Sequence, residues 1–360
     1  MHVALPDHVR GEEPSAARHV EQYGAGPQRD GDEGTAGRCE PVERNEGPTR
    51  LPPLLDQVVV LLRVVALAGA GLHWSLSRTD RAGADNTGTM IPLLRAAHLQ
   101  PTLAVTGIAT ILALATDRGA GTTWVTLAVL AGQLTVGWSN DYLDRDRDRR
   151  AQRSDKPIAA GQVSADTVRR AAIVAAVACV PLSLMSGWAA GLVHIGAVAV
   201  ACSYNAWLKS TWLSPLPYAV SFGAVPVFIA LGAPAHELPP LWTVFAAGLL
   251  GVGAHFVNTL PDLEVDARLG VHGVPQHMGP TRSLLIAAIL MAVAAAILAV
   301  APPGRPDVLA MGLLIAAGAA VAGVVIVGLT GHERAAWTLT LCTAGVALLL
   351  FLAQGASLIA

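Results

Sequence analysis

Lysine is almost missing from this chain: Lys156 and Lys209 are its only two, so arginine supplies nearly all of the 24 basic residues. Charge of either sign is scarce, at 14% of 360 residues, and there is no basic tract of the kind that binds nucleic acid, which excludes that partner. Four cysteines, Cys39, Cys179, Cys202 and Cys342, form no CxxC pair, and no His/Cys cluster has zinc-ligand spacing. Cys179, Cys202 and Cys342 fall inside apolar runs, where a small buried hydrophobe is favoured over a disulfide or metal ligand. The opening residues do not look like a secretory signal either, since they lack a basic stretch followed by an apolar one. What the chain has in excess is apolar surface. At 53% hydrophobic residues and a mean hydropathy of +0.50, it exceeds what one soluble core can hide, and this predicts an all-α, polytopic membrane protein.

Residues 1–53, rich in Gly, Glu, Arg and Pro without apolar periodicity, read as a disordered N-terminal extension. Residues 54–89 hold an apolar stretch too short for a span and interrupted by Asp56, Arg63 and His73, which suits an interfacial helix and linker. Residues 1–89 are expected to be dispensable for activity, with Met90 opening the membrane domain, 90–360. Nine apolar runs follow, at 97–116, 121–139, 168–187, 189–208, 216–233, 241–260, 281–301, 307–329 and 336–354. Most approach the roughly 20 residues that cross a bilayer, and their Ala and Gly content permits close packing. They predict a bundle of nine transmembrane helices. Connections after the even-numbered runs, counted with the first turn of the run that follows, carry Arg145, Arg147, Arg149, Arg150, Arg153, Lys156, Arg169, Arg170, Lys209, Arg268, Arg282 and Arg334; the others carry only Arg118 and Arg305. The positive-inside rule then places the even-numbered connections in the cytoplasm and the chain in the cell membrane. Trp124, Trp138, Trp188 and Trp242, near run ends, read as interface anchors.

Two acidic stretches sit on that cytoplasmic side. The first, residues 140–148, follows the second apolar run, and on a helix its Asn140, Asp144 and Asp148 stand four apart with Asp141 three before Asp144. The second places Asn258, Asp262 and Asp266 at the same step. Two carboxylate faces meeting at the end of a bundle repel unless cations lie between them. Hard oxygen ligands suit Mg²⁺, which keeps several waters and completes its shell with substrate phosphate oxygens. Lys156 and Lys209, just past cytoplasmic run ends, are either point charges for phosphate or membrane anchors; their position beside the acidic stretches favours phosphate. The pattern implied is a metal-bridged diphosphate at the membrane surface with its apolar tail in the bundle. Asp146, Arg145 and Arg147 are expected to face water or bind the loop together. Arg95, His98 and Gln100 are candidates to meet an acceptor, and His255 and His194 stand as substrate contacts or internally satisfied histidines.

These residues resemble the UbiA superfamily of intramembrane prenyltransferases. Residues 140–148 fit its NDxxDxxxD motif at every fixed position, and Asp262 and Asp266 fit its DxxxD. Residues 155–161, Asp-Lys-Pro-Ile-Ala-Ala-Gly, are similar to the segment that follows the first motif, and Tyr204 and Lys209 to the family's Tyr…Lys element. Three departures stand out: Thr259 where an extended second motif often has Asp, four residues between Tyr204 and Lys209, and Leu260-Pro261 in place of the Tyr-Ala of many hydroxybenzoate enzymes. The resemblance implies that Asp141, Asp144, Asp148, Asp262 and Asp266 hold Mg²⁺, and that Lys156, Arg153 and Lys209 assist departure of diphosphate. An isoprenyl group would then pass to a small, electron-rich, aromatic acceptor within the bilayer. Asn140 and Asn258 would fix carboxylates, Tyr204 would hydrogen-bond the diphosphate, and the 145–166 and 267–280 loops would exclude water. The turn at 270–275 would act as a flexible lid bringing His272 or Arg268 to the diphosphate. Two rivals remain. A terpene cyclase on this scaffold would use the same ionisation, and a membrane transporter would place its charges near the midplane on broken helices.

Overall fold

The structure, a computed structural model, describes residues 87–353 except Asp117 and Arg305. The expected N-terminal extension, and the interfacial helix apart from residues 87–89, lie outside the described residues, as does Cys39. Among the described residues all regular structure is helical: α1 (Thr87–Ala96), α2 (Leu99–Ala115), α3 (Gly121–Arg150), α4 (Ala165–Leu184), α5 (Trp188–Ala206), α6 (Leu216–Leu231) and α7 (Leu241–Thr259) come first. The short α8 (Leu263–Arg268) and α9 (Val274–Met278) precede α10 (Pro280–Val300), α11 (Val308–Leu329) and α12 (Glu333–Ala353).

Five of these are long and apolar enough to cross a membrane: Ala165–Leu184, Trp188–Ala206, Leu241–Arg268, Pro280–Val300 and Val308–Leu329. A sixth span results if Met90–Ala96 and Leu99–Ala115, bent by 67°, are taken together. Ile173, Val174 and Val177 on α4 and Ile315 on α11 are exposed along these helices, a surface stable only against hydrocarbon. The protein is therefore a multi-pass membrane protein.

The helices close into a ring. Neighbours run α2, α3, α5, α6, α7, α10 and α12, and α12 packs back on α2. Of the remaining long helices, α4 packs on α3 and α5, and α11 on α10 and α12. Buried Ile111, Leu112, Val125, Phe228 and Leu298 fill the closed half of the bundle as an apolar core. Cys179 is a free, buried thiol as expected, and Cys202 and Cys342 are free as well, the latter exposed.

Three local features set the positions of the polar residues. First, α3 continues past its apolar part to Arg150, with Arg147, Arg149 and Arg150 in the last turn complementing the carbonyl end of the helix dipole. Second, Pro261 cannot supply the N–H that an α-helix needs, so α7 gives way to a 3-10 turn, Leu260–Asp262, before α8 resumes. The expected four-residue step of the second motif thus passes through a turn rather than one continuous helix. Third, α1 and α2 meet at a break where His98 takes φ 53°, and the Ala97 backbone there lies against Gly137 of α3. A Cβ at Gly137 would overlap the Ala97 carbonyl oxygen and come within 2.8 Å of its carbon. Gly137→Ala is expected to destabilise the protein by about 1–3 kcal/mol, as overpacking does, read as a lower melting temperature in detergent.

Candidate active site

A cavity of about 1330 Å³ occupies the open end of the ring. Asn140, Asp144, Asp148, Arg153, Lys156, Tyr204, Lys209, Asn258, Asp262 and Asp266 all line it, so the structure brings ten of the residues singled out in the sequence to one space. Deeper along the helices the wall turns apolar, with Val105, Ile108, Val136, Phe222, Leu250, Val257 and Met291.

Each acidic residue is held differently. Asp144 receives Lys209 and the Arg147 Nη1, the latter at 2.6 Å, both on Oδ1, and its Oδ2 accepts from Asn140 Nδ2 at 3.3 Å. Asn140 Nδ2 also reaches Asn205 Oδ1 at 3.1 Å, and Asn205 Nδ2 donates to the Val136 carbonyl and Ser139 Oγ on α3. This amide pair clamps α5 to α3 beside the first motif. Asp262 pairs with Arg153 at 2.8 Å across the two motifs. The Arg153 guanidinium binds Asp155 bidentately through Nε and Nη2, both at 2.8 Å, and holds the Asp155 carboxyl below the usual carboxylate range.

Asp148 and Asp266 make no ion pair or side-chain hydrogen bond among the described residues, and Asp148 Oδ2 is buried without a protein partner. Burial pushes the Asp148 carboxyl up to about 6; Lys156 opposes the shift, while Asp144 and Asp141 add to it.

Two expected site residues stand elsewhere. Asp141 does not line the cavity: it is 1% exposed, turned toward the α1–α2 break, with Lys156 Nζ at 3.1 Å and His98 Nε2 at 3.8 Å from its Oδ1. It is one residue on from Asn140, about 100° further around α3, which is enough to leave the cavity face. Arg268 ends α8 exposed to solvent, because the chain turns away at Gly270 with φ 87°, and neither it nor His272 lines the cavity. The turn expected as a flexible lid is tied down: Val271 is buried and the Val274 N–H donates to Ser214 Oγ at 3.0 Å.

The connection after α3 is also pinned, since Ile158 and Val163 bury against Ala96 and Val168 with Trp138 and Tyr142 alongside. Ser164 Oγ caps α4 by accepting from the Thr167 N–H at 3.0 Å. This packing is what presents Arg153 and Lys156 to the cavity.

Several residues escaped the sequence. Arg147, expected to face water or bind the loop together, lines the cavity. So do Asn205, Tyr218 and Phe222; the last two, four apart on α6, carried the only available signal. Tyr218 meets Tyr204 edge-on at 5.2 Å, and its hydroxyl accepts from Asn258 Nδ2 at 3.4 Å. His255 lies behind these rings, 4.8 Å from Tyr218 and with Nε2 3.3 Å from Ser214 Oγ, and does not reach the cavity. His194 is satisfied internally by Ser183 Oγ at 2.7 Å and stacks on Phe228.

The donor set fits a hard cation. Carboxylates of both motifs share the cavity, and a buried Asp148 oxygen lacks a protein partner. Among the described residues no three His, Cys, Asp or Glu side chains form a metal-sized group. The protein alone thus offers no closed zinc cage, but Mg²⁺ needs only one or two carboxylates when waters and phosphate oxygens complete its shell.

Fold and cavity define a helical membrane protein with a charged, two-motif pocket opening into an apolar one. Residues 101–342 match the model of the UbiA prenyltransferase family, and the chain belongs to that family. It is 31% identical over 180 residues to the bacteriochlorophyll synthase 33 kDa chain of Cereibacter sphaeroides, a match covering 46% of this chain and 58% of that protein. It is 28% identical over 156 residues to the digeranylgeranylglyceryl phosphate synthase of Pyrococcus horikoshii, covering 42% and 54%. The chain thus spans little more than half the length of these relatives. In fold it is similar to a UbiA homolog from Aeropyrum pernix K1, with a TM-score of 0.59 and 19% identity over 71% of this chain and 96% of that one. A UbiA homolog from Archaeoglobus fulgidus bound to GPP and Mg²⁺ superposes with a TM-score of 0.57 and 17% identity, over 74% and 99%.

Proposed function

We propose that this protein transfers an isoprenyl group from an isoprenyl diphosphate to an electron-rich, aromatic acceptor in the cell membrane, using Mg²⁺. All nine long helices from α2 onward would cross the bilayer, α8 and α9 being the short pieces between them, with the charged cavity mouth facing the cytoplasm. The observation that carries the reading is one cavity in which five carboxylates and five arginine or lysine side chains at one end meet an apolar wall further in. An amphiphile with a diphosphate head and a hydrocarbon tail matches both halves.

In this reading Asp148 and Asp266, the cavity carboxylates without an ion pair, hold the metal, and Asp144 and Asp262 complete the acidic shell. Magnesium, when bound, supplies Lewis-acid stabilisation of the diphosphate as its charge develops. Lys209, Lys156 and Arg153 bring cations to the departing oxygens. The allylic C–O bond breaks with its electron pair on the diphosphate, and an acceptor electron pair then forms the new bond to the allylic carbon with loss of the acceptor proton. The faces of Tyr204 and Tyr218 stabilise the cation meanwhile. The pinned 151–164 segment and the α12 end of the ring keep water away from it. Asp141 serves by fixing Lys156.

The names of the two relatives point to unlike products, so the test uses a broad panel. Purified protein with Mg²⁺ is incubated with isoprenyl diphosphates of several lengths, with and without phenols, hydroxybenzoates and a glyceryl phosphate. Prenylated adducts that require an aromatic acceptor are expected. Hydrocarbon formed without acceptor would replace transfer by cyclisation, and no diphosphate release under any condition would overturn both.

A further inference from the structure

We propose that Arg147 binds the diphosphate of the prenyl donor, a role that rests on the transferase reading above and adds a cation that the family motifs do not supply. Residues 145–149 contain three arginines with different surroundings. Arg145 lies over the Tyr142 ring, 4.4 Å from its centroid, and donates to the Tyr142 carbonyl at 2.8 Å. Arg149, half exposed, pairs with Asp146 at 3.4 Å. Of the three, Arg147 is the one in the cavity wall.

Its position follows from α3. Three residues past Asp144, it borders the face that Asn140, Asp144 and Asp148 commit to the cavity. Its Nη1 donates to Asp144 Oδ1, the same oxygen that Lys209 holds. One carboxylate oxygen therefore holds two cations at this point of the wall. The Arg147 Nε is buried and finds no acceptor among the described residues.

With Nη1 on Asp144 and Nε enclosed by protein atoms, Nη2 is the guanidinium nitrogen left for a second acceptor. Arg153 divides its nitrogens between two acceptors nearby, Nη1 on Asp262 and Nη2 with Nε on Asp155. A phosphate oxygen suits the free Nη2, and a lysine cannot reproduce the planar group that reaches Asp144 and the ligand at once. The charge of Arg147 also acts on Asp266 of the second motif. A diphosphate lying between the motifs meets Arg147 on one side and Lys209 beside it.

The probe is inorganic diphosphate with Mg²⁺, which avoids any choice of chain length, titrated calorimetrically into the full-length protein. Arg147→Leu is expected to weaken binding at least tenfold, Arg147→Lys by an intermediate factor, and Arg145→Leu and Arg149→Leu by less than twofold. Melting curves with and without Mg²⁺-diphosphate separate binding from folding: Arg147→Leu should lose most of the ligand-induced rise in melting temperature, whatever its own baseline. Equal affinity in Arg147→Leu and wild type overturns the role of Arg147 alone. No diphosphate binding by the wild type overturns the donor reading itself, and this role with it.

Discussion

Asp144→Asn is expected to slow diphosphate release from the donor by roughly 10²–10³-fold, the loss typical when one preorganised electrostatic contact to a developing charge is removed. The substitution keeps the side-chain volume and an oxygen for the Asn140 amide. What it removes is the charge on which Lys209 and Arg147 converge. Both cations then lose the anchor that aims them into the cavity, and the metal loses a neighbouring carboxylate. The variant leaves the Lys209 and Arg147 cations facing each other without their shared counter-charge, so it should also lose stability, and its melting temperature separates that loss from the loss of turnover. Asp146→Asn makes the matched control: Asp146 is exposed, bonded only to Arg145 and Arg149, and its loss should change turnover by less than twofold. Wild-type turnover in Asp144→Asn would show that this face of α3 is not where the donor ionises.

The same residue illustrates what the sequence could and could not reveal. Asn140, Asp144 and Asp148 were legible because α3 is unbroken from Gly121 to Arg150, so a four-residue step translates directly into one face. At Asp262 the same step crosses a proline turn, and the position of its carboxylate depends on Arg153 reaching over from another segment. The place of Arg147 in the cavity is not legible in the spacing, because a residue three past Asp144 lies at the edge of the helix face, where water, the loop and the cavity are all within reach. Its direction is decided by the ring of neighbouring helices. Asn205 was invisible for the same reason, and the four-residue step of Tyr218 and Phe222 gave no direction: they become a wall only when α5 packs on α3 and α6 on α5. The connection after α3 was legible as charged, yet its rigidity comes from Ile158 and Val163, two apolar residues whose burial no local pattern announces.

Lys156→Met is expected to destabilise the protein by about 3–5 kcal/mol, because it strands the Asp141 carboxylate at 1% exposure without its counter-ion. Asp141 Oδ2 already finds no partner, and the remaining neighbour of its Oδ1, His98 Nε2, is 3.8 Å away. Protonation of His98, which the Lys156 charge otherwise opposes, is the compensation within reach, and at 3.8 Å it replaces the lost pair only in part. Stability and chemistry separate in the double variant. Asp141→Asn combined with Lys156→Met removes both charges from the site, and should recover most of the lost stability, since a well-packed neutral pair often matches a buried ion pair. It should not recover diphosphate release, because Lys156 also lines the cavity and its ammonium is the cation that Asp141 holds in place. Thermal melts and diphosphate release of the two single variants and the double are the measurement. A double variant no more stable than Lys156→Met would mean that the pair does not secure the 151–164 segment. One that is restored in stability and also turns over like wild type would remove Lys156 from the set of groups acting on the donor, leaving Lys209, Arg153 and Arg147 to balance the departing charge.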